Sequence, residues 1–243
     1  MKILLVDDDR DLVDLLRYAL QREGHTIVTA YDGEAALRTF LAESPDLVIL
    51  DIMMPKRSGF DVLQDIRRAG QVPVVMLTAL SDEETAVKAL RAGADDCVSK
   101  PFRLREFKAR VEALQRRNRI WNRTEDKYRA VMSYGDVTLD PRGRSVIVGG
   151  QPVNLTRTEF AMLQYLMINR DTVVSVSDII ANVWQYDANE GDDVVKVTIS
   201  RLRRKMEQDP SRPRYILNVP GVGYIFKQKV NSCDSLQFAS EQP

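Results

Sequence analysis

Leu47-Val48-Ile49-Leu50-Asp51 decides how the first half of this chain folds. Four consecutive apolar residues, two of them β-branched, suit a strand buried on both faces of a parallel sheet, because a strand with one wet face would alternate. The run stops on a carboxylate. Two more runs of the same kind flank it, Ile3-Leu4-Leu5-Val6 and Val74-Val75-Met76-Leu77. Two shorter ones, Thr26-Ile27-Val28-Thr29 and Asp96-Cys97-Val98-Ser99, fit the same role. Between them apolar residues recur at helical spacing: Leu12, Leu15, Leu16, Ala19 and Leu20, then Ala86, Val87, Leu90 and Ala94. Five strand–helix units predict an α/β fold, a five-stranded doubly wound parallel sheet whose ligands sit beyond the carboxyl ends of its strands.

The polar residues at those ends form a set. Asp7 and Asp8 follow the first strand, Asp51 the third, Thr78 the fourth and Lys100 the fifth. Taken singly, each is an ordinary solvated loop residue; together they converge on one rim. Three carboxylates in so small a space repel one another and push each other toward protonation. A hard divalent cation relieves that repulsion, and Mg²⁺ suits an all-oxygen site that keeps waters and a phosphate oxygen. Lys100 brings a fixed positive charge and Thr78 a hydroxyl donor, both of use on an acyl phosphate. Pro101 follows Lys100, and an X-Pro bond admits the cis form.

The chain of 243 residues is long for one domain and comfortable for two. Its 35 basic and 35 acidic residues cancel overall. The balance is nevertheless uneven: residues 194–229 carry nine Lys and Arg against two acidic residues. A local excess of that size is the electrostatic footprint of a nucleic-acid contact. Cys97 and Cys233 lie far apart, and His25 is the single histidine, which excludes most histidine-based metal sites and nucleophile–histidine pairs. No charged-then-apolar leader and no apolar run of about 18 residues is present, which predicts a cytoplasmic protein without a membrane contact.

Beyond a charged, aperiodic stretch the pattern changes. Residues 134–155 alternate, with turn signals at Asp140-Pro141 and Gly149-Gly150, and predict a small antiparallel sheet. Helical patterns follow over 157–169, 176–184 and 193–207, and two short strands around Pro220-Gly221-Val222-Gly223 predict a hairpin over 215–227. In the third helix Val195, Ile199, Leu202 and Met206 make a core stripe, which leaves Lys196, Ser200, Arg201, Arg203 and Arg204 to face outward together. Such a helix can reach base edges and phosphates in a major groove. An ordinary solvated helix face is the bland alternative. The predicted layout is therefore 2–117 for the sheet domain, 118–132 for a linker, 133–229 for an α+β nucleic-acid-binding domain and 230–243 for a disordered tail.

LLVDDD at 4–9, VILDIMMP at 48–55, MLTA at 76–79 and VSKPF at 98–102 resemble the response-regulator receiver family. VNLTRTEFAMLQYL at 153–166, VWQY at 183–186, VVKVTISRLRRKM at 194–206 and GVGYIF at 221–226 resemble the winged helix-turn-helix domain of the OmpR/PhoB family. The resemblance implies that Asp51 accepts a phosphoryl group from a sensor histidine kinase. It implies that Asp7, Asp8, Asp51 and the Met53 carbonyl hold Mg²⁺, and that Thr78 and Lys100 contact the phosphoryl group. It makes 193–207 the recognition helix, with Lys196, Thr198, Ser200, Arg201, Arg203, Arg204 and, on the wing, Asn218 facing double-stranded promoter DNA. Glu159, Phe160 and Leu163 match core positions of that family. The 187–193 loop would face RNA polymerase. A receiver homodimer would use Arg91, Asp96, Glu106, Arg110 and Glu112.

The chain departs from that family in four places. Pro220 and Ile225 stand where the wing usually carries basic residues. Cys97 stands in place of the aromatic that moves inward on phosphorylation. Arg91 and Glu112 reverse the usual order of acid and base, and Ala86 replaces a basic partner, with Lys88 nearby. Met53 and Leu80 flank the position of an attacking water, where neither can orient it, so self-dephosphorylation would be slow. Three functions stay open at this point: a phosphorylation-dependent transcriptional regulator that binds direct repeats, a DNA-binding regulator controlled through Cys97 or constitutive dimerisation, and a Mg²⁺-dependent hydrolase with Asp51 as nucleophile.

Overall fold

The computed structural model describes residues 1–79, 83–123, 130–185 and 192–227. Its first half holds β1 (Lys2–Val6), α1 (Arg10–Gln21), β2 (Thr26–Ala30), α2 (Gly33–Glu43), β3 (Leu47–Asp51), α3 (Gly59–Ala69), β4 (Val74–Ala79), α4 (Glu83–Ala92), β5 (Asp96–Lys100) and α5 (Leu104–Arg123). The strands pair in parallel in the order β2-β1-β3-β4-β5. The three most apolar runs, β1, β3 and β4, occupy the middle, as continuous apolar runs must when both faces are covered.

Alternate residues of each central strand serve opposite faces. Ile3, Leu5, Leu47, Ile49, Val75 and Leu77 pack with Val13, Leu16 and Leu20 of α1 and Phe107, Val111 and Leu114 of α5. Leu4, Val6, Val48, Leu50, Val74 and Met76 pack with α2, α3 and α4 on the other side. The turns from strand to helix are short and capped. Asp9 Oδ1 accepts the Asp11 and Leu12 N–H groups at 3.1 Å, Asp32 Oδ1 that of Ala35 at 2.8 Å, and Ser58 Oγ that of Asp61 at 3.3 Å. Each side chain satisfies donors that a helix start leaves unpaired. The caps thereby hold the rim that carries Asp7, Asp8 and Asp51. The Lys100–Pro101 bond is cis.

The second half opens on an antiparallel sheet, β6 (Met132–Tyr134), β7 (Val137–Asp140), β8 (Ser145–Val148) and β9 (Gln151–Pro152). Next come α6 (Arg157–Ile168), β10 (Val173–Ser175), α7 (Val176–Ile179) continuing into a π-helical turn (Ile180–Trp184), and α8 (Asp192–Met206). The hairpin is β11 (Ile216–Val219) and β12 (Gly223–Phe226), and β10 joins it as a third strand beside β12. That extra strand, too short to show an alternation, is absent from the sequence reading. The start expected for the linker is also different: α5 stays helical to Arg123. The rest of the expected linker up to residue 129, most of the loop expected to face RNA polymerase, and the expected tail lie outside the described residues.

The apolar cluster on the α2–α3–α4 side of the sheet does not end with the first half. It runs without a break into Phe160, Leu163, Trp184, Val195 and Ile199 of the second. Helix α8 packs against α4, and the Ile180–Trp184 turn against α5.

Gly59 shows how tightly the rim is built. A Cβ at this position would lie 2.1 Å from the Asp51 carbonyl oxygen and 2.9 Å from Ile52 Cα, both backbone atoms that cannot rotate away. Gly59→Ala should therefore destabilise the chain by about 1–3 kcal/mol, the usual cost of overpacking. Urea unfolding followed by circular dichroism measures it; an unchanged midpoint would show that the α3 start is free to shift.

Candidate functional site

Asp7 and Asp51 are buried carboxylates at the ends of β1 and β3, and Asp8 beside them is exposed. One oxygen from each of the three lies within 4.8 Å of the others. Lys100 Nζ bridges two of them, at 2.6 Å from Asp7 Oδ2 and 2.6 Å from Asp51 Oδ1. The Met53 N–H donates to Asp51 Oδ2 at 2.8 Å. Thr78 is buried at the end of β4 and lines the same cleft of about 570 Å³, together with Met53 and Lys100. The structure thus gathers the six residues expected to form the pocket.

Its electrostatics follow from burial and like charge. Burial raises the Asp51 carboxyl above the ordinary range, and the negative charge of Asp7 adds to the rise; Lys100 and the Met53 N–H work against it. Burial alone would lower the Lys100 ammonium, but hydrogen bonds and charge from Asp51 and Asp7 outweigh it and hold it above its usual value. Asp7, Asp8 and Asp51 form an acidic pocket of the kind in which receiver domains bind Mg²⁺. The donor set fits that ion: three carboxylates, oxygen only, with one member facing solvent so that waters can remain.

Cys97 is partly buried and packs against the sheet core. Burial first, and then the neighbouring Asp96, push its thiol up to about 12. A thiol so raised has almost no thiolate near neutral pH, and the thiolate is the reactive form. Its side chain behaves as a small hydrophobe.

The residues expected to face DNA do not stay together. Lys196, Ser200 and Arg204 of α8 are exposed, and so is Asn218 on β11. Lys196 pairs with Asp193 at 3.3 Å. Arg203 is half-buried and donates from Nε and Nη2 to the Ile216 carbonyl at 3.0 and 2.8 Å. Thr198 and Arg201 are buried, at 3% and 6% exposure. The expectation that all five polar side chains of the helix face outward together fails for Arg201 and in part for Arg203, and Thr198 does not reach solvent either. The reason is a second stripe. Val194, Val197, Thr198 and Arg201, spaced i, i+3, i+4 and i+7, are all buried. A helix with partners on two sides buries more of its circumference than one stripe.

Arg201 shows what covers that stripe. Its Nη1 donates to the Leu90 and Ala94 carbonyls at the end of α4, at 3.2 and 3.0 Å. Its Nε pairs with Glu159 Oε1 of α6 at 2.8 Å. Glu159 also closes a capping box with Thr156 and takes Lys205 at 2.7 Å. Asp95, just before β5, forms the other half of the contact. Its carboxylate accepts Arg67 at 2.7 Å, the Val74 N–H at 2.9 Å and the Thr158 hydroxyl at 2.6 Å. Its carbonyl accepts the Trp184 indole N–H at 3.2 Å. Asp95 and Thr158 were not legible as partners, because 63 residues separate them.

On the expected dimer face, Arg91 is exposed, whereas Asp96 and Arg110 are buried against each other at 3.2 Å, and Arg110 also takes Glu106 at 3.0 Å. Asp96, Arg110 and Glu106 are thus engaged with one another within one chain. Glu112 is half-buried. Lys88 sits over the Phe60 ring at 4.9 Å.

Residues 3–112 match the model of the response regulator receiver domain, and residues 150–226 that of the transcriptional regulatory protein C-terminal domain. The chain is 41% identical over 230 residues to the probable transcriptional regulator ycf27 of Guillardia theta, covering 93% of this chain and 91% of that one. Among solved structures, a RitR mutant shares the fold over 94% of this chain and 99% of its own, with TM-score 0.74 at 24% identity. The response regulator DrrB of Thermotoga maritima, an OmpR/PhoB homologue, is 33% identical over 93% of this chain and 98% of its own, with TM-score 0.49. Among the described residues no helix is long and apolar enough to cross a membrane.

Cys97 should resist alkylation in the folded chain at neutral pH and react only after unfolding. Peptide mapping after iodoacetamide treatment, with and without urea, measures this. Modification of Cys97 in the native chain would revive a redox role.

Proposed function

The chain belongs to the OmpR/PhoB family of two-component response regulators, and on that premise we propose that Asp51 is its phosphoacceptor and that the phosphorylated form binds direct-repeat promoter DNA as a receiver homodimer. The observation that carries the reading is the Lys100 ammonium held between Asp7 and Asp51 at 2.6 Å, beside a third carboxylate. In the transfer, an oxygen of Asp51 attacks the phosphorus of a sensor-kinase phosphohistidine. The new P–O bond forms as the P–N bond breaks, and that electron pair stays on the imidazole nitrogen. Asp7, Asp8, Asp51 and the Met53 carbonyl would hold Mg²⁺, which supplies charge neutralisation for the incoming phosphoryl oxygens. Lys100 is already placed to move from the Asp51 carboxylate to the phosphoryl group that forms on it, and the Thr78 hydroxyl lies in the same cleft. The chemistry is capture of one phosphoryl group rather than turnover.

Slow loss of the phosphoryl group belongs to the same reading. Met53 is 78% exposed at the pocket mouth, and its thioether cannot orient a water for in-line attack. Leu80, its expected counterpart, lies outside the described residues. Control through Cys97 oxidation loses its support from the raised thiol. Helix α8 would enter the major groove, with Lys196 and Arg204 on phosphates and Thr198, Ser200 and Arg201 toward base edges, while Asn218 approaches from the hairpin. RNA polymerase is the expected partner of the segment before α8. Receiver pairing would draw on Arg91, Asp96, Glu106, Arg110 and Glu112. The burial of Asp96 against Arg110 means that this pair shapes the face rather than reaching across it.

Asp51→Asn should abolish the gain of one phosphoryl group seen by intact mass after treatment with acetyl phosphate and Mg²⁺, and Asp8→Asn should raise the Mg²⁺ concentration needed. Undiminished labelling of Asp51→Asn would remove Asp51 from the role. Lys196→Ala and Arg204→Ala should each weaken binding across sequences and lower the slope of log K against log salt by about 1. Titrations by fluorescence anisotropy at several salt concentrations measure it; an unchanged slope would take these residues off the phosphates.

A further inference from the structure

A second cavity, of about 360 Å³, lies at the seam between the two halves. That volume falls within the roughly 300–1,000 Å³ of small-molecule pockets. One wall comes from the first half, with Val72 and Pro73 just ahead of β4 and Leu114 of α5. The other comes from the second half, with Val146 of β8, Leu155 before α6 and Phe160 within it. The strands of the first sheet run parallel, so the amino end of β4 lies at the opposite rim from Asp51, which ends β3. No described residue lines both this cavity and the carboxylate pocket. The two are separate places in the molecule.

We propose that this cavity binds a small amphipathic anion, with an apolar body between the two walls and a carboxylate or phosphate head on Arg144 and Arg157. The lining divides in that way. The six side chains named above are apolar, and burying an apolar body against them supplies binding without direction. Arg144, just before β8, and Arg157, the first residue of α6, add two guanidiniums, and among the described residues no carboxylate lines the cavity. A guanidinium presents paired donors that match either head. Arg157 also stands at the amino end of α6, where the helix dipole favours negative charge.

The electrostatics around Arg157 point the same way. Burial lowers its guanidinium below the ordinary value, and the charge of Arg144 lowers it further; Asp95 and Asp46 act in the other direction without offsetting the two. Both acids already serve other donors. Asp46 takes the Lys2 N–H at 2.8 Å, and Asp95 takes Arg67, the Val74 N–H and the Thr158 hydroxyl. An anion held beside Arg144 and Arg157 supplies the negative charge that these acids do not. Because its walls come from both halves, neither half alone contains the site.

Calorimetric titration of the full chain without phosphodonor tests the proposal. Octanoate and octyl phosphate carry one apolar body on the two heads, and octanol carries that body without charge. The site requires that at least one of the anions bind once per chain, at least roughly tenfold tighter than octanol. The tighter anion then identifies the head. Arg144 is exposed in a turn, so Arg144→Gln leaves the fold intact. It should weaken the anion at least roughly fivefold while octanol is unaffected. Val153→Trp fills the cavity from its half-buried wall and should abolish binding of anion and octanol alike, with a cooperative melting curve as the check on folding. Should Val153→Trp not fold, Arg144→Gln decides. Equal affinity for the anions and octanol, several molecules bound per chain, or no heat from either anion overturns the site. So does undiminished anion binding in folded Arg144→Gln or Val153→Trp. None of these outcomes bears on phosphorylation of Asp51 or on DNA binding, so the site stands or falls by itself.

Discussion

Three carboxylates at the ends of buried strands are the constraint around which the first half is organised. The apolar runs of β1 and β3 place Asp7 and Asp51 where water cannot solvate them fully, and burial raises the Asp51 carboxyl. Lys100, on the far edge strand β5, makes that arrangement tolerable by pairing with both at 2.6 Å. The strand order explains how it gets there. β5 lies beside β4, β4 beside β3, and only β3 separates β4 from β1, so a long flexible side chain spans the gap. In the proposed function, the ion pair of the resting pocket is also the group that an incoming phosphoryl would meet.

A second set of buried charges governs the relation between the halves. Asp95 and Glu159 are almost fully buried, and each is bound by more than one donor. Truncating one partner of such a network leaves the other charged group without compensation, at a cost of roughly 3–5 kcal/mol for a buried pair. The apolar cluster that surrounds them is shared by both halves. Arg67 feels both sides of the seam: burial lowers its guanidinium, Asp95 opposes that, and Arg201 across the seam lowers it further. Two arginines held this close need the two carboxylates between them.

Much of the fold was legible because strand and helix periods are local signals. The five strands fall where the apolar runs place them, and α1 and α4 where the helical spacings do. Asp7, Asp8, Asp51, Thr78 and Lys100 were legible for the same reason, since each sits just past a strand whose position was clear. Strand β10 was not, being three residues long. Helix α5 runs on to Arg123, into the stretch expected as a linker, where the charged sequence shows no apolar period to follow.

Helix α8 marks the boundary between the two kinds of information. Its amino acids determine that it is a helix, and Val195, Ile199, Leu202 and Met206 determine which side faces its own domain. They also determine that it is basic. What they leave open is the use of the other side, because Val194, Val197 and Thr198 read equally well as groove-facing or packed, and Arg201 as a DNA contact or a buried anchor. Only the tertiary structure decides between these, by bringing the carbonyls of Leu90 and Ala94 to Arg201 across more than a hundred residues. Local periodicity can specify an element and one face of it; the identity of a distant partner depends on how whole elements pack, and no short-range pattern encodes that.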